Sequence, residues 1–134
     1  MTLDELLDTF EFFDDWEDKY RFIIDLGKEL PGLPATDKTD AHLIRGCQSQ
    51  VWLTYESTDE LLRFNMDSDA HIVRGLIAVV LIAIQNRSGA EIQRLDIEGI
   101  LGQLDLLAHL SVTRGNGLRA MVSRIKEVAH RHTD

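Results

Sequence analysis

The segment GLIAVVLIAI at residues 75–84 constrains the fold more than any other part of the chain. These ten residues carry no charge, yet they are far fewer than the roughly 20 apolar residues that a membrane-spanning helix requires. A helix that is apolar on every side has to be covered on every side by the rest of the protein. We therefore predict a helix that opens at the polar cluster DSDA (67–70), runs to about Asn86 and forms the buried centre of the structure.

Further helices are predicted from capping signals and from the spacing of apolar residues. The sequences TLDE at 2–5 and SGAE at 88–91 have the pattern of capping boxes, in which side chain and main chain bond reciprocally. The other predicted helices are one that begins after Asp14 or Asp15 and ends before Pro31 and Pro34, short helices in 92–110 broken by Gly99 and Gly102, and one from about Thr113 to His130 with Leu118, Met121, Val122, Ile125 and Val128 facing inward.

The β-like part of the sequence lies between these helices. Val51–Tyr55 and Leu61–Met66 are rich in β-branched, aromatic and other apolar residues, and the polar stretch ESTDE between them is short enough for a hairpin. An extended piece at Leu43–Ile44 is expected to supply a third strand, with Cys47 in the loop that joins it to the hairpin. Helices packed on a small antiparallel sheet make the predicted class α+β, in a single domain over residues 1–134.

Composition argues against several classes of function. The net charge of −9 disfavours a nucleic-acid partner, because nucleic acids bind basic surfaces. A single cysteine cannot form an internal disulfide, and it cannot build a zinc or iron–sulfur site from thiolates within one chain. The acidic N-terminal sequence MTLDELLDTF lacks the basic region of a signal peptide, so we expect a cytoplasmic protein with no membrane partner.

The single cysteine, Cys47, lies in the stretch RGCQSQVWLTY at residues 45–55. Free cysteine is among the most buried residue types, which favours a small core side chain. Its polar neighbours, together with Gly46, which allows a tight turn, favour a side chain presented at a loop tip. Arg45 is expected to stabilise the thiolate form of such a thiol. These residues by themselves leave a reactive thiol and a packed side chain equally open.

The histidines and the segment TRGNGL at 113–118 are weaker candidates for chemistry. No hydrolase signature accompanies Cys47 and its nearest histidine in sequence. TRGNGL is either a loosely formed helix start, because each glycine costs about 1 kcal/mol relative to alanine, or an anion site made by Arg114 and free N–H groups. For the histidines we expect His42 to play no hydrolytic part, His71 to cap or pack the buried helix, His109 to lie in the core, and 130–132 to form a tail.

Four segments of the sequence resemble the SufE family of sulfur acceptors. They are WEDKYRFIIDLGKELP at 16–31, GCQSQVWL at 46–53, DSDAHIVRGLIAVV at 67–80 and TRGNGLRAM at 113–121, and they occur in the family's order. The sequence CQSQ is typical of SufE itself, whereas the paralogous branch that serves a different desulfurase tends towards CENR. TRGNGL departs from the family's SRSQGL pattern, since glycine replaces serine and asparagine replaces glutamine, so no hydroxyl contact is carried over at that point.

The resemblance implies a fold and an activity. The fold is that of the IscU-type scaffold proteins, with the cysteine on a loop beside a three-stranded antiparallel sheet and turned at rest towards an apolar pocket. In the implied activity, a SufS-type cysteine desulfurase carrying pyridoxal phosphate forms a persulfide on its own cysteine, and Cys47 accepts the terminal sulfur. The acceptor thereby stimulates the desulfurase and passes sulfur to a SufBCD-type scaffold for iron–sulfur cluster assembly. This chain itself needs no cofactor and no metal for that transfer.

The family's motif positions are carried over to seven residues of this sequence. The acceptor is Cys47, and the supporting residues are Gly46, Gln48, Gln50, Trp52, Asp69 and Arg114.

Three alternatives stay open from the sequence. The chain could serve the paralogous CsdA-type desulfurase, act as an IscU-like scaffold on which clusters assemble, or act as a thiol hydrolase or peroxidase. The single cysteine disfavours a scaffold, because cluster ligation would then require histidines or thiolates shared across a dimer. A homodimer is compatible with the sequence.

Overall fold

The computed structural model of the protein describes residues 1–132. In chain order its helices and strands are α1 (Leu3–Phe12), α2 (Trp16–Lys28), β1 (Val51–Thr58), β2 (Leu61–Ser68), α3 (His71–Ile84), β3 (Arg87–Ser88), α4 (Gly89–Arg94), α5 (Ile97–Gln103), α6 (Leu106–His109) and α7 (Val112–Arg131). Two single turns of 3-10 helix, Ala35–Asp37 and Asp40–His42, lie in the connection from α2 to β1.

Helix α3 is the buried centre of the structure, as its composition predicts. Ten of its fourteen residues are buried. Helix α2 approaches it closely through two glycines, since a Cβ on Gly27 would lie 2.6 Å from the main-chain nitrogen of Gly75, and a Cβ on Gly75 would overlap the carbonyl of Ile23. The absence of side chains at these two positions therefore sets the distance between α2 and α3.

The ends of α3 differ from the prediction. The helix begins at His71 after Ala70, which has no side chain able to cap it, and it ends at Ile84 rather than near Asn86. Asp67 and Ser68, which we expected to be capping residues, are the last residues of β2. Asp67 is held in the strand because its carboxylate is buried and makes hydrogen bonds there, as described below.

The predicted hairpin is present and is longer than its apolar runs. Strands β1 and β2 pair in antiparallel register from Val51 opposite Ser68 to Thr58 opposite Leu61. Only Asp59 and Glu60 separate the strands, and both have positive φ angles, of 54° and 68°. Two such residues form the type of turn that matches the twist of a hairpin, so the whole stretch ESTDE belongs to β1 and its turn.

The third strand of the sheet is not the one that the sequence indicated. The sheet has the order β1-β2-β3, and the two-residue strand β3 pairs with the start of β2. Leu43 forms only an isolated antiparallel bridge to Trp52, because Gly46, at a φ of 92°, turns the chain away three residues later. Cys47 therefore lies in a loop that leads into β1, not in a connection between two strands of the sheet.

The other helices follow the predicted pattern except at some of their boundaries. Thr2 with Glu5 and Ser88 with Glu91 form complete capping boxes, and Asp15 caps α2. Gly99 and Gly102, expected to break helices, lie inside α5. The breaks fall at Leu95–Asp96 and at Leu104–Asp105, where Asp96 caps α5 and Asp105 has a φ of 59°.

The core joins side chains from both strands of the hairpin and from the helices into one cluster. All five side chains of α7 that we expected to face inward are buried. The three-stranded antiparallel sheet packed with helices confirms the α+β class. None of the helices in residues 1–132 combines the length and the hydropathy needed to cross a membrane.

Candidate functional site

The loop that carries Cys47 crosses the first half of α7. Gly46 has a φ of 92°, a region that suits glycine, and a Cβ at this position would lie only 3.3 Å from the Cβ of Ala120. Immediately beyond it, the Cys47 side chain points towards α7, with Sγ 3.5 Å from the carbonyl oxygen of Gly117. The thiol is half-buried, so it is neither a core side chain nor freely presented.

The thiol of Cys47 borders a pocket between the loop, α3 and α7. The pocket has a volume of about 80 Å³. One side of it is apolar and is formed by Val51, Val73, Leu76, Leu118 and Met121; the other side is formed by Gln48, Ser49, Thr113, Arg114 and Gly117. A cavity needs only roughly 10–15 Å³ to hold a water molecule, so there is room beside the sulfur for at least one more atom of its size.

The electrostatic environment of the thiol differs from the one that we expected. Burial raises the pKa of the Cys47 thiol above its ordinary value. Arg45, predicted to favour the thiolate, is exposed and does not line the thiol pocket; it lies instead near Ala120 and Arg124, at a second pocket along α7. That prediction was wrong, because the left-handed turn at Gly46 sends the two side chains in different directions. At rest the sulfur is therefore a thiol rather than a thiolate.

The far end of the loop is tied to the segment between β2 and α3. The Oδ1 atom of Asp69 accepts a hydrogen bond from the main-chain nitrogen of Gln50 at 3.1 Å. The main-chain nitrogen of Asp69 donates in turn to the Gln50 carbonyl at 3.4 Å. Asp69 thus lies at the Cys47 loop, in the neighbourhood that the family resemblance implied, and it holds the point where the loop becomes β1.

Arg114 lies in the first turn of α7 and lines the thiol pocket. The helix start is well formed, since the Ser111 side chain accepts a hydrogen bond from the main-chain nitrogen of Arg114 at 3.2 Å. Of the two alternatives that TRGNGL left open, the structure therefore does not show the loosely formed helix start. Gly117, one turn later, is buried against the cysteine, and a Cβ there would lie 3.6 Å from Sγ, in ordinary van der Waals contact.

The remaining motif residues have distinct positions. Gln48 is exposed at the rim of the pocket, whereas the Gln50 main chain forms the anchor already described. Trp52 is buried in β1 and does not line the pocket. Its ring instead lies 5.6 Å from the ammonium nitrogen of Lys38, within the range of a cation–π contact.

A charged cluster that the sequence did not reveal holds the connection before the Cys47 loop. The Asp67 side chain is only 2% exposed. One of its oxygens accepts from Arg74 and from the main-chain nitrogen of Ser68, and the other accepts from Lys38 and from the main-chain nitrogen of Leu33, both at 3.1 Å. Because Lys38 and Asp67 are separated in sequence by all of β1, no local pattern could have paired them.

Arg74 extends this cluster to the end of α2. Its guanidinium donates to the carbonyl of Leu30 at 2.8 Å and to that of Gly27 at 3.4 Å. Burial by itself raises the pKa of Asp67, but the hydrogen bonds from Leu33, Ser68 and Lys38 and the charge of Arg74 outweigh it and hold the pKa below its ordinary value. The cluster therefore fastens the connection around 30–38 to the hairpin and to α3.

The histidines are not brought to the cysteine. His42 bonds through Nδ1 to the Asp37 carbonyl at 2.7 Å, and His71 is an exposed first residue of α3. His109, expected in the core, is exposed and stacks on Trp16 with ring centroids 4.1 Å apart. No group of three potential metal-ligating side chains occurs in the part of the chain that the structure describes.

Comparison with known proteins identifies the family. Residues 4–129 match the model of the family described as "SufE: Fe-S metabolism associated domain". An uncharacterized SufE-like protein of Rhizobium meliloti is 48% identical over 132 residues, covering 96% of this chain and 94% of that protein. The sulfur acceptor protein CsdE of Escherichia coli is 41% identical over 126 residues, covering 93% of this chain and 86% of that protein.

A solved structure supports the architecture independently. The solution structure of a hypothetical protein from Thermus thermophilus covers 98% of both chains with a TM-score of 0.78, at 14% sequence identity. At this identity the likeness shows the fold alone. The family model matches nearly the whole length, and the two relatives are more than 40% identical. The chain therefore belongs to the SufE family.

Proposed function

We propose that this chain is a sulfur acceptor that receives a persulfide sulfur on Cys47 from a SufS-type cysteine desulfurase and so stimulates that enzyme. Family membership supports the proposal, and so does the relative named as a sulfur acceptor. The observation that carries it is the position of Cys47: its sulfur borders a pocket with room for one more atom, on a loop that contains a left-handed glycine.

The proposed reaction is an exchange of thiolate for thiolate. The Cys47 thiol first loses its proton, and the thiolate then attacks the terminal sulfur of the donor persulfide. The sulfur–sulfur bond of the donor breaks, its cysteine thiolate leaves, and a persulfide forms on Cys47, with no external oxidant or reductant. The pyridoxal phosphate that generates the donor persulfide belongs to the desulfurase, and the chemistry of acceptance needs only a thiolate and access.

The half-buried position of Cys47 in the free protein affects when the proposed reaction can occur. Burial raises the pKa of Cys47, so the free protein holds an unreactive thiol. A docked desulfurase would draw the loop out of the pocket, remove the cause of the raised pKa and permit attack. When the loop returns, the pocket encloses the added sulfur and limits its oxidation before the sulfur passes to a SufBCD-type scaffold.

The test is a measurement of mass and rate with a SufS-type desulfurase and free cysteine. Wild type should gain the mass of one sulfur atom and accelerate the release of sulfur, and Cys47→Ser should do neither. Arg114→Ala should slow the transfer with little change in melting temperature, because Arg114 lines the pocket from an exposed position. If Cys47→Ser stimulates the desulfurase as well as wild type does, the proposal is wrong.

The choice between desulfurases is part of the same proposal. The sequence CQSQ favours the SufS-type enzyme, and the 41% identical relative carries the name CsdE, so a CsdA-type enzyme is the natural competitor in the assay. Stimulation of the CsdA-type enzyme alone would reassign the partner and leave the chemistry at Cys47 unchanged. We place the reaction in the cytoplasm, because a free thiol persists in a reducing compartment.

An IscU-like scaffold function finds no support in the geometry. A cluster bound at Cys47 would need further thiolate or imidazole ligands, and no histidine in residues 1–132 lines the thiol pocket. A visible absorption band after reconstitution with iron and sulfide would favour the scaffold. Mass measured under native conditions would show whether the protein is a homodimer.

A further inference from the structure

The positive charge of this acidic protein is concentrated on α7. That helix carries five lysine or arginine residues and one glutamate, whereas the whole chain has a net charge of −9. Residues 3–28, which form α1 and α2, contain nine aspartate or glutamate residues and three lysine or arginine residues. Such a separation of charge orients a charged partner during encounter and favours one docking face over the others.

Part of this positive charge lines a groove between the segment 40–45 and the second half of α7, which we call the arginine groove. The groove has a volume of about 640 Å³, and its charged side chains are Arg45, Arg124, Arg131, Asp40 and Glu127. Glu127 accepts hydrogen bonds from Arg124 at 3.1 Å and from Arg131 at 2.6 Å. Arg45 is exposed and forms no ion pair within residues 1–132. The groove therefore holds three guanidinium groups and two carboxylates.

The arginine groove adjoins the cysteine loop. Arg45 lies two residues before Cys47, and Gly46 passes beside Ala120, whose side chain also lines the groove. One turn earlier on α7, Gly117 contacts the Cys47 sulfur. At 1.5 Å of rise per residue, Arg131 lies about 21 Å along the helix from Gly117. An extended polypeptide of about six residues covers this distance, so a partner that reaches Cys47 can also contact the groove.

We propose that the arginine groove binds an acidic polypeptide segment of the desulfurase that loads Cys47. This inference rests on the proposed function and adds to it the docking surface and its charge. Guanidinium groups bind carboxylates through two parallel hydrogen bonds, and a segment with several carboxylates can engage both Arg45 and Arg131, which line the groove. The apolar residues Leu43, Ile44 and Ala120, which also line the groove, suit a polypeptide better than a small anion.

The same contact acts on the loop that has to move. Only Gly46 separates Arg45 from Cys47, and Gly46 is the residue with the left-handed conformation. A carboxylate that pairs with Arg45 therefore acts on the stem of the loop, so docking and release of the thiol from its pocket occur together.

The test compares two double variants of equal charge. The groove variant is Arg45→Glu with Arg131→Glu, and the control variant is Arg63→Glu with Arg21→Glu. The variants are matched, because Arg21 pairs with Glu17 four residues away as Arg131 does with Glu127, and Arg45 and Arg63 are both exposed. All proteins carry Cys47→Ser, so that binding is measured without sulfur transfer. The dissociation constant for a SufS-type and for a CsdA-type desulfurase is determined by calorimetry at low and at physiological ionic strength.

The groove variant should bind about tenfold or more weakly at low ionic strength and should lose most of the salt dependence seen with the parent protein. The control variant should stay within about twofold of the parent. An octaglutamate peptide should compete with the desulfurase, whereas inorganic phosphate at equal ionic strength should not. Equal weakening in both variants, no weakening in either, displacement by phosphate alone, or no binding of the parent to either desulfurase would each overturn the inference.

The docking surface and the proposed acceptor function can each fail without the other. If binding depends on the groove but wild-type Cys47 gains no sulfur, the acceptor function is wrong and the docking surface stands. If Cys47 gains sulfur from a desulfurase whose binding ignores the groove, the acceptor function stands and the docking surface is wrong.

Discussion

At the scale of single residues, the protein holds its single thiol partly covered by the rest of the chain. Cys47 is half-buried against Gly117 and the thiol pocket, and burial raises its pKa. Asp69 holds the end of the same loop through the main chain of Gln50. The cause of the raised pKa is burial, so it depends on the position of the loop that carries Cys47.

The raised pKa of Cys47 predicts a shifted pH profile for alkylation. Since the folded state favours the protonated thiol, the midpoint of the rate against pH should lie above that of the same protein in denaturant. The free energy of unfolding should also decrease as the pH rises above the ordinary pKa of a thiol, because the folded state binds the proton more tightly. Iodoacetamide labelling followed by mass spectrometry measures the profile. A native midpoint at or below the denatured one would contradict the assignment.

Loss of the Asp69 hydrogen bond at the end of the cysteine loop should make alkylation of Cys47 faster. Asp69→Ala removes the acceptor for the Gln50 nitrogen, a hydrogen bond worth about 1 kcal/mol, so alkylation at fixed pH should accelerate about fivefold. Asp69→Asn keeps a side-chain oxygen that can accept the bond and should label at nearly the wild-type rate. The melting temperature should change little in either variant, and equal rates in all three proteins would show that Asp69 does not restrain the loop.

At the scale of elements, two contacts decide how the pieces of the chain meet. The cluster of Asp67, Arg74 and Lys38 joins β2, α3 and the connection from α2. The glycine pair Gly27 and Gly75 sets the approach of α2 to α3. Each contact can be tested by a substitution whose effect differs from that of a matched control.

Loss of the Asp67 charge should destabilise the protein in a pH-dependent way. Asp67→Asn leaves two partly buried cations without their carboxylate and should cost about 2 kcal/mol at neutral pH. Because the folded-state pKa of Asp67 is lowered, its contribution is present above the unfolded pKa near 3.9 and is lost as the pH falls through the folded value. Chemical denaturation at pH 7 and at pH 3 should therefore show a difference between the proteins that shrinks with acid.

The control for that substitution is Asp25→Asn. Asp25 pairs with Lys28 on the exposed surface of α2, where such a pair contributes between 0 and about 1 kcal/mol. An equal loss in the free energy of unfolding for the two variants would mean that the buried Asp67 contributes no more to stability than an exposed ion pair.

Substitution by alanine should change stability in opposite directions at Gly75 in α3 and at Gly102 in α5. Gly75→Ala places a methyl group against the Ile23 carbonyl and should destabilise by about 3 kcal/mol, because the helices have to move apart. A methyl group at Gly102 in α5 meets nothing within 4 Å, so Gly102→Ala should stabilise by up to about 1 kcal/mol. Thermal unfolding of both variants measures the effect, and a gain of stability in Gly75→Ala would show that α2 and α3 are not in close contact.

At the scale of the whole molecule, α7 serves two surfaces at once. Its buried stripe completes the core, its first turns carry the thiol pocket, and its later turns carry the arginine groove. The cysteine loop lies across the helix between these two surfaces. The most buried helix, α3, therefore lies beside the loop that the proposed reaction requires to move.

This arrangement predicts a wide range of amide protection. Amides of α3 should exchange only through global unfolding, because ten of the fourteen residues of the helix are buried, whereas amides of 45–49 should exchange through local opening. Hydrogen exchange with peptide-level mass spectrometry distinguishes the two by at least about tenfold in rate. Protection of 45–49 equal to that of α3 would rule out the loop movement that the proposed reaction needs.

Much of the fold was readable from local patterns. The uniform apolarity of 75–84 predicted a central helix, the side chains of TLDE and SGAE predicted their capping boxes, and the run from Val51 predicted the hairpin. These features depend on neighbours within a few residues, which is why the sequence predicts them. The errors fell where distant residues compete: Asp67 joined β2 instead of capping α3, and Leu43 formed a bridge instead of a strand.

By itself the sequence determined the α+β class, the single thiol and its family motif, because these follow from local periodicity and residue identity. The tertiary structure alone decided the state of that thiol. Arg45 is two residues from Cys47 in the chain, yet it faces another surface, whereas Gly117 lies seventy residues away and contacts the sulfur. Burial and charge act through distances in space, and the left-handed turn at Gly46 separates near neighbours while the packing of α7 brings remote ones together.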